Sequence, residues 1–284
     1  MMSLRLPVAL RQLPPLPQAL TRALQIIQDP LSQRSDLADV LSLDQGLTGL
    51  FLRMVNSAYY GLPRRITSLN EAIGYLGYET VESIILAVSV SKVLSRPVPA
   101  YLLESGALWQ HSVAVASGAE WIARYRRLGA ASEFYVAGLL HDVGKLALDA
   151  MQSGQVQWDS EGDEQPPIQD WTKVERMKTG HDHAEVGAIV VRSWNLPDRV
   201  VEAVACHHNP GQATLDPQFT AVVHVANAAA LMAGIGLGVD GLRYPLDDAA
   251  FDLLAWQEAD MANLMGEMRG AVAKAEEILG MKGS

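Results

Sequence analysis

The chain has 284 residues, 22 basic and 32 acidic side chains, and a formal net charge of −10. Its length allows one large domain or two small ones, and its 49 % apolar residues exclude disorder of the whole chain. The acidic balance argues against a protein that mainly coats nucleic acid or an anionic membrane. With a single cysteine, Cys206, the chain cannot form an internal disulfide, so it fits a reducing compartment.

The longest run without a charged residue also bears on localisation. It extends over residues 217–239 and is long enough to cross a bilayer, but it contains His224 and Asn227 and ends in several glycines. We therefore predict a buried core helix followed by a turn. No secretory signal is predicted because Pro14 and Pro15 precede any sufficiently long apolar stretch, and we expect a cytoplasmic protein without membrane contact.

Helical periodicity dominates the first hundred residues, and no long period-two alternation predicts a strand. Asp44 is a predicted N-cap, Ser68 to Glu71 form a capping box, and Gly77 is predicted to stop the helix that follows. The short helices could also indicate a DNA-binding helix-turn-helix, but the acidic balance favours an ordinary bundle. The predicted helices cover residues 16–28, 35–43 (with Ser35 as N-cap), 44–56, 68–77 and 81–94.

Two prolines, Pro97 and Pro99, interrupt the helical patterns and predict a boundary between two subdomains, residues 1–98 and 99–284. The second part is also predicted to be helical, so the expected fold class is all-α, a multi-helix bundle of two packed subdomains. Residues 149–170 hold six acidic residues and no Lys or Arg, which predicts a solvated loop. The predicted helices of the second part cover residues 107–125, 134–151, 183–194, 199–208, 219–232 and 258–281.

All seven histidines lie between positions 111 and 224, and this clustering is the strongest indication of function. The adjacent pair His141 and Asp142 follows an apolar run, where a charge is costly to bury without a compensating cation. Imidazoles and a carboxylate from several helices are ligands that iron, manganese, zinc or nickel accept. The predicted metal ligands are His111, His141, Asp142, His183, His207 and His208.

Each of these residues also has a simpler interpretation. An isolated histidine is more often hydrogen-bonded than a ligand, and we assign His181 and His224 to that class. The pair His207 and His208, before Asn-Pro, could serve as a helix C-cap. A nucleophilic role for Cys206 is disfavoured because no third group is identifiable, and the glycines at 234–238 follow a helix, which disfavours a phosphate-binding loop.

At these residues the sequence resembles the HDOD family, the HD-related output domain of bacterial signalling proteins. The resemblance covers residues from about Leu13 to about Pro210. It rests on these matching segments: Leu16-Pro17, Asp44, Met54-Val-Asn-Ser-Ala58, Tyr60-Gly61, Ile66, Ala72-Ile73, Leu76-Gly77, Trp109, His111-Ser112, Gly138-Leu-Leu-His-Asp-Val-Gly-Lys145, His183-Ala-Glu-Val-Gly187, Trp194, Leu196-Pro197 and His207-His208.

The resemblance implies an all-helical fold related to HD phosphohydrolases and to HD-GYP enzymes that cleave cyclic di-GMP. In those relatives the positions of the six predicted ligands bind metals, with a further aspartate and, in some, a glutamate. Here Asn227 stands at the aspartate and Ala107 at the glutamate, and both changes replace an anionic ligand with a neutral group. Eighteen residues separate His208 from Asn227, which leaves little chain to cover a dinucleotide.

The resemblance therefore implies a non-enzymatic signalling module with a degenerate metal site, which binds another signalling protein and does not bind nucleic acid directly. A second copy of the chain is another candidate partner. The alternative is a metal-dependent phosphohydrolase or phosphodiesterase in which Lys145 steadies the phosphate. Retention of the six predicted ligands favours this alternative, whereas Ala107 and Asn227 favour the module.

Overall fold

The computed structural model describes residues 31–56, 62–152 and 170–279, together with positions 6, 7, 10, 22, 23, 25–27 and 29. Within these residues the regular structure is helical, apart from one isolated bridge between Val98 and Leu103. The predicted all-α class is confirmed. Most of the helix predicted over residues 16–28, the 153–169 part of the acidic loop, and the matching segments at positions 16–17, 57–58 and 60–61 lie outside the described residues.

The contact pattern divides the chain into two compact units. One contains residues 15–92 and 270–284, and the other contains residues 1–14 and 93–269. The sequence-based boundary between residues 98 and 99 stays a prediction.

Within residues 31–56 and 62–92 of the smaller unit, three helices lie or begin: α1 (Arg34–Ser42), α2 (Gln45–Val55) and α3 (Leu69–Leu94). The predicted N-cap Asp44 accepts a hydrogen bond from the Leu47 amide at 3.0 Å, and Ser68 Oγ accepts one from the Glu71 amide at 3.2 Å. Gly77 breaks α3 with a φ of 76°, a conformation that glycine adopts without steric cost. One detail was wrong: the N-cap of α1 is Gln33, not Ser35, because the Asp36 carboxylate accepts the Gln33 amide hydrogen.

Most of the described helices belong to the larger unit, and several of them are largely buried. Its core helix, Pro217–Met232, follows the predicted apolar run, and Gly234 and Gly236 form the turn after it with positive φ. Two of its helices, Trp171–Thr179 and Asp248–Leu253, were missed by the sequence analysis. The helices from residue 107 onward are α4 (Ala107–Arg126), α5 (Ala131–Leu140), α6 (Gly144–Gln152), α7 (Trp171–Thr179), α8 (His183–Ser193), α9 (Asp198–Cys206), α10 (Pro217–Met232), α11 (Asp248–Leu253) and α12 (Glu258–Leu279).

The single helix predicted over residues 134–151 was wrong, because the chain forms α5 and α6 with a turn at residues 141–143 between them. Short-range bonds mark the turn: the Val143 amide donates to the Leu140 carbonyl, and the Lys145 amide donates to the Asp142 carbonyl. The apolar pattern continues through the turn because both helices are buried, so periodicity alone cannot reveal the break. Because of this turn, His141 and Asp142 lie between two helices and not within one continuous helix.

No described helix is by itself long and apolar enough to cross a bilayer, whereas the bent pair Leu69–Tyr78 and Thr80–Leu94 meets that criterion by length and composition alone.

Candidate metal centre

The larger unit brings all six predicted ligand residues to one buried location. None of them is more than 8 % exposed. They are His111 on α4, His141 and Asp142 in the turn between α5 and α6, His183 at the start of α8, and His207 and His208 at the end of α9.

Four of these residues form what we call the first cluster: Asp142, His183, His207 and His208, whose ligand atoms all lie within 4.8 Å of one another. The Nε2 atom of His183 lies 2.9 Å from Nε2 of His208 and 3.3 Å from Nε2 of His207. It also lies 3.2 Å from Oδ1 of Asp142, and His207 Nε2 lies 3.8 Å from the same oxygen. Three imidazoles and one carboxylate oxygen thus converge.

The second cluster consists of His111, His141 and Asp142, and it shares Asp142 with the first. Here Oδ2 of Asp142 lies 3.3 Å from Nε2 of His141 and 3.6 Å from Nε2 of His111. The terminal amide of Asn227 lies 3.0 Å from the same His111 nitrogen. The position at which the resemblance expects an anionic ligand therefore holds a neutral group in contact with a predicted ligand.

The outward ring nitrogens determine which tautomer these histidines adopt. Nδ1 of His111, His141 and His207 lies 2.7–3.0 Å from the backbone carbonyls of Ile235, Gly138 and Val204, respectively. A carbonyl only accepts hydrogen bonds, so each Nδ1 carries the proton and donates it. In the neutral ring the Nε2 lone pair then points into the cluster, as in metal-binding histidines whose other nitrogen is held by the protein.

The donor set of the first cluster fits a divalent transition metal. Two ligand atoms that each lie about 2.1 Å from one ion are about 3.0–3.4 Å apart at right-angled and tetrahedral geometries. Three of the four separations given above, 2.9, 3.2 and 3.3 Å, lie close to this range, and the fourth is 3.8 Å. Imidazole and carboxylate donors suit zinc, iron, manganese or nickel better than magnesium or calcium, which prefer oxygen.

Lys145 is a buried cation that the centre already contains. Its Nζ donates to Oδ2 of Asp142 and to Oδ2 of Asp240, each at 2.7 Å. Tyr244 donates its hydroxyl to the same Asp240 oxygen at 2.7 Å, and its ring stacks on His208 with centroids 3.7 Å apart. Two of the three N–H donors of Lys145 are therefore bonded to carboxylates in this structure.

Glu175 on α7 holds His183 in place from the side opposite the cluster. Its carboxylate accepts from Nδ1 of His183 at 2.8–2.9 Å, from the His183 backbone amide at 2.9 Å and from the Tyr101 hydroxyl at 2.6 Å. Glu175 is fully buried, so these three donors supply the partners that a buried carboxylate requires.

Burial and charge act in opposite directions on the ionisable groups. Burial alone would raise the pKa of Asp142, but His141 and Lys145 hold it well below its ordinary value. Burial alone would lower the pKa of His183, but Glu175 and Asp142 raise it to about 10. Burial keeps the pKa of His207 and His208 well below the ordinary histidine value. Without another cation, His183 is thus the charged imidazole of the first cluster.

Sequence reasoning missed Glu175, Asp240, Tyr101 and Tyr244. The buried residues of α7 include Trp171, Glu175 and Thr179, at four-residue intervals that are helical in period. That spacing could have predicted the helix but not the contact of Glu175 with His183. Asp240 and Tyr244 lie in the loop after α10, where no periodic pattern indicates a role.

The remaining histidines lie apart from the two clusters. His224 is buried, donates from Nδ1 to the His207 carbonyl at 2.8 Å and accepts the Asp247 amide hydrogen on Nε2 at 3.1 Å. His181 lies 3.2 Å from Glu185 at the surface. Both positions agree with the hydrogen-bonded class to which the sequence analysis assigned them.

A cavity of about 400 Å³ reaches His208. Its lining includes the carboxylate residues Asp170, Asp182, Asp247 and Asp248 and one basic residue, Arg176. Among the described residues, the lining includes no further member of the two clusters. This acidic lining favours cations over phosphates.

Glu202 on α9 binds the backbone of the loop that follows His208. We expect the substitution Glu202→Gln to weaken this contact. The carboxylate accepts the backbone amides of Thr214, Leu215 and Asp216 at 2.7–2.9 Å. These bonds lower its pKa although burial would raise it. The variant should lose about 1 kcal/mol of unfolding free energy at pH 7, measured by urea denaturation.

The contribution of Glu202 to the free energy of unfolding depends on pH in a direction that its lowered pKa determines. Because folding lowers the pKa of Glu202, its contribution is present above the unfolded-state pKa and is lost as the pH falls through the folded-state value. The difference between wild type and Glu202→Gln should therefore shrink below about pH 4.5. Glu267→Gln, at an exposed position on α12, is the control, and an equal pH profile for both variants would contradict the assignment.

Fold and site together define a class of protein: an all-helical chain with a buried histidine and aspartate centre. The chain belongs to the HDOD domain family, whose model matches residues 13–210. The fold is similar to that of an HDOD domain protein with unknown function from Geobacter sulfurreducens, with a TM-score of 0.73 and 22 % identity over 98 % of this chain and 99 % of that chain.

The chain is also similar to two further proteins. A proposed phosphohydrolase from Shewanella amazonensis SB2B is similar, with a TM-score of 0.69 and 21 % identity over 97 % of this chain and 98 % of that chain. An uncharacterized protein of Treponema pallidum (strain Nichols) is 27 % identical over 202 residues, which are 69 % of this chain and 38 % of that protein. The chain thus spans well under half the length of this curated relative.

Proposed function

We propose that the chain is a non-enzymatic signal-transduction module that acts by binding a signalling protein in the cytoplasm. Its HD-like part is then an inherited core with a degenerate metal centre, and it binds neither nucleic acid nor membrane directly. The observation that carries this proposal is the closure of the centre. His141, Asp142, His183 and His207 are each at most 1 % exposed, so a phosphate ester could contact their ligand atoms only if the surrounding side chains moved.

Lys145 supports the same conclusion. In a hydrolase of this type, its ammonium group would have to contact the phosphate of the substrate. Here the Lys145 side chain is 5 % exposed, and its ammonium group is bonded to Asp142 and Asp240. Both of these ion pairs would have to break before the ammonium group could bind a phosphate. Breaking a buried pair of this kind is costly, so Lys145 serves the stability of the core in this structure.

Two neutral side chains, Asn227 and Ala107, and the acidic lining of the cavity also disfavour phosphate hydrolysis. Asn227 replaces an anionic ligand, and Ala107 offers no ligand atom one turn before His111. The cavity beside His208 carries four aspartates against one arginine, which repels phosphate esters. If a metal is bound, the histidine and aspartate donors hold it, and its chemistry would be to polarise a bound oxygen.

A hydrolysis assay tests this proposal against the phosphohydrolase alternative, which is favoured by the retained ligand set. The purified chain is loaded with Mn²⁺, or with Fe²⁺ without oxygen, and incubated with cyclic di-GMP or bis(p-nitrophenyl) phosphate. We expect both substrates to stay intact. Turnover of either above about one per second, near the low end for ordinary enzymes, would contradict the module and support the hydrolase. Asp142→Ala is the control for trace contaminants, because genuine turnover would disappear with it.

A further inference from the structure

The two clusters share Asp142, but they differ in whether side chains from outside the cluster contact their ligand atoms. This difference follows from hydrogen bonds of the chain alone. It determines at which cluster a cation would have to displace side chains from outside the cluster.

In the second cluster, two of the three ligand atoms already have partners. Oδ1 of Asn227 lies 3.0 Å from Nε2 of His111. Because Nδ1 of His111 donates to Ile235, Nε2 of the neutral ring accepts, so the Asn227 amide donates to it only when turned by 180°, with its nitrogen in this position. Oδ2 of Asp142 accepts the Lys145 ammonium at 2.7 Å. A divalent ion here would have to displace the amide and approach a buried positive charge.

In the first cluster the hydrogen-bond and ion-pair contacts of the ligand atoms are, among the described residues, with one another. Oδ1 of Asp142 is buried and has no hydrogen-bond partner among the described residues. His183 and His207 donate through Nδ1 to Glu175 and Val204, which turns both Nε2 atoms toward that oxygen. Lone pairs at 2.9–3.3 Å from one another repel unless a cation or a proton lies between them.

The position of the cavity also favours cation binding at the first cluster. The cavity of about 400 Å³ reaches His208, whose ring is held in orientation by its stacking on Tyr244. Its lining contains neither His111 nor His141 among the described residues. Aspartates along this route draw cations toward the first cluster and not the second.

We infer that the chain binds a single borderline divalent cation, of the zinc, iron, manganese or nickel class, through Asp142, His183, His207 and His208, and that Asn227 and Lys145 close the second cluster to a second ion. This inference rests on the degenerate centre of the proposed function. Its test measures metal content, so hydrolysis and metal occupancy succeed or fail separately.

The first experiment is elemental analysis of the full chain after equilibration with Zn²⁺ and removal of free metal. We expect about one ion per chain for wild type and for His111→Ala, and at least a tenfold loss of occupancy for Asp142→Ala and His208→Ala. His181→Ala, which removes a surface histidine, is the matched control and should keep the ion. Retention of the ion by His208→Ala, or its loss from His111→Ala, would overturn the inference.

The second experiment tests the closure of the second cluster. Asn227→Asp restores an anionic ligand beside His111, and we expect it to raise occupancy to about two ions per chain. Co²⁺ spectra report the same change, since a second absorption set should appear on titration beyond one equivalent. Two ions in wild type, or one in Asn227→Asp, would show that Asn227 does not close the site. Circular dichroism of each variant shows whether the fold is retained, and a folded His208→Gln variant replaces His208→Ala if the latter fails to fold.

Discussion

Lys145→Met is expected to lower the free energy of unfolding by about 3–5 kcal/mol, because it leaves two buried carboxylates without their shared cation. Asp142 and Asp240 are each 2 % exposed, and Lys145 lies 2.7 Å from both. Among the described residues, the donor that Asp240 then keeps is the Tyr244 hydroxyl. Methionine retains most of the side-chain volume, so the loss reports the charge and not a cavity. Urea denaturation of the metal-free protein measures the effect.

Lys173→Met is the matched control for this substitution. Lys173 also pairs with a carboxylate three residues away, Asp170, but it is 73 % exposed and the separation is 3.5 Å. We expect a change of less than about 0.5 kcal/mol for it. The double variant Lys145→Met with Asp240→Asn should recover part of the loss because one of the two unpaired charges is removed. Equal losses for Lys145→Met and Lys173→Met would contradict a structural role for the buried lysine.

The sequence predicted most of the helices because local signals determine them. Asp44 and Ser68 act as the predicted caps, Gly77 breaks α3, and the uncharged run after residue 217 becomes the buried helix α10. These features depend on residues three or four positions apart, which a single sequence displays directly. The clustering of histidines likewise indicated the centre before any distance was known.

The polar groups that support the centre could not be predicted in the same way. Glu175 bonds to Tyr101, 74 positions earlier, and Asp240 meets Lys145 across 95 positions, distances in sequence that no periodic pattern encodes. The turn at residues 141–143 was also missed, because apolar residues continue on both sides of it. Local signals therefore located the ligands, whereas tertiary packing determined which partner each one has.

The support of His183 also shows why the centre can persist without catalysis. Glu175 binds both the ring and the backbone of His183, and Lys145 balances Asp142 and Asp240. Removing any one of these groups leaves another buried charge unpaired, at a cost of several kcal/mol. The presence of His183 and Asp142 is therefore explained by stability as well as by metal binding, and it does not by itself indicate hydrolysis.

Gly144→Ala is expected to have the largest effect of any single added methyl group in the centre. A Cβ atom at Gly144 would lie 1.9 Å from the carbonyl oxygen of His183 and 2.6 Å from the amide nitrogen of Gly187. Both are backbone atoms of α8 and cannot rotate away, so α6 and α8 must separate. We expect a loss of about 3 kcal/mol or more in unfolding free energy, since overpacking against backbone cannot relax locally.

The same substitution at Gly266 provides the control. Gly266 lies on an exposed part of α12, and nothing lies within 4 Å of an added Cβ there. Gly266→Ala should be neutral or stabilising by up to about 1 kcal/mol, because alanine has the higher helix propensity. Since α8 begins with His183, separation of α6 and α8 should also lower zinc occupancy of Gly144→Ala under conditions where the variant is still folded. A Gly144→Ala protein with wild-type stability and a full ion would contradict the close contact between these helices.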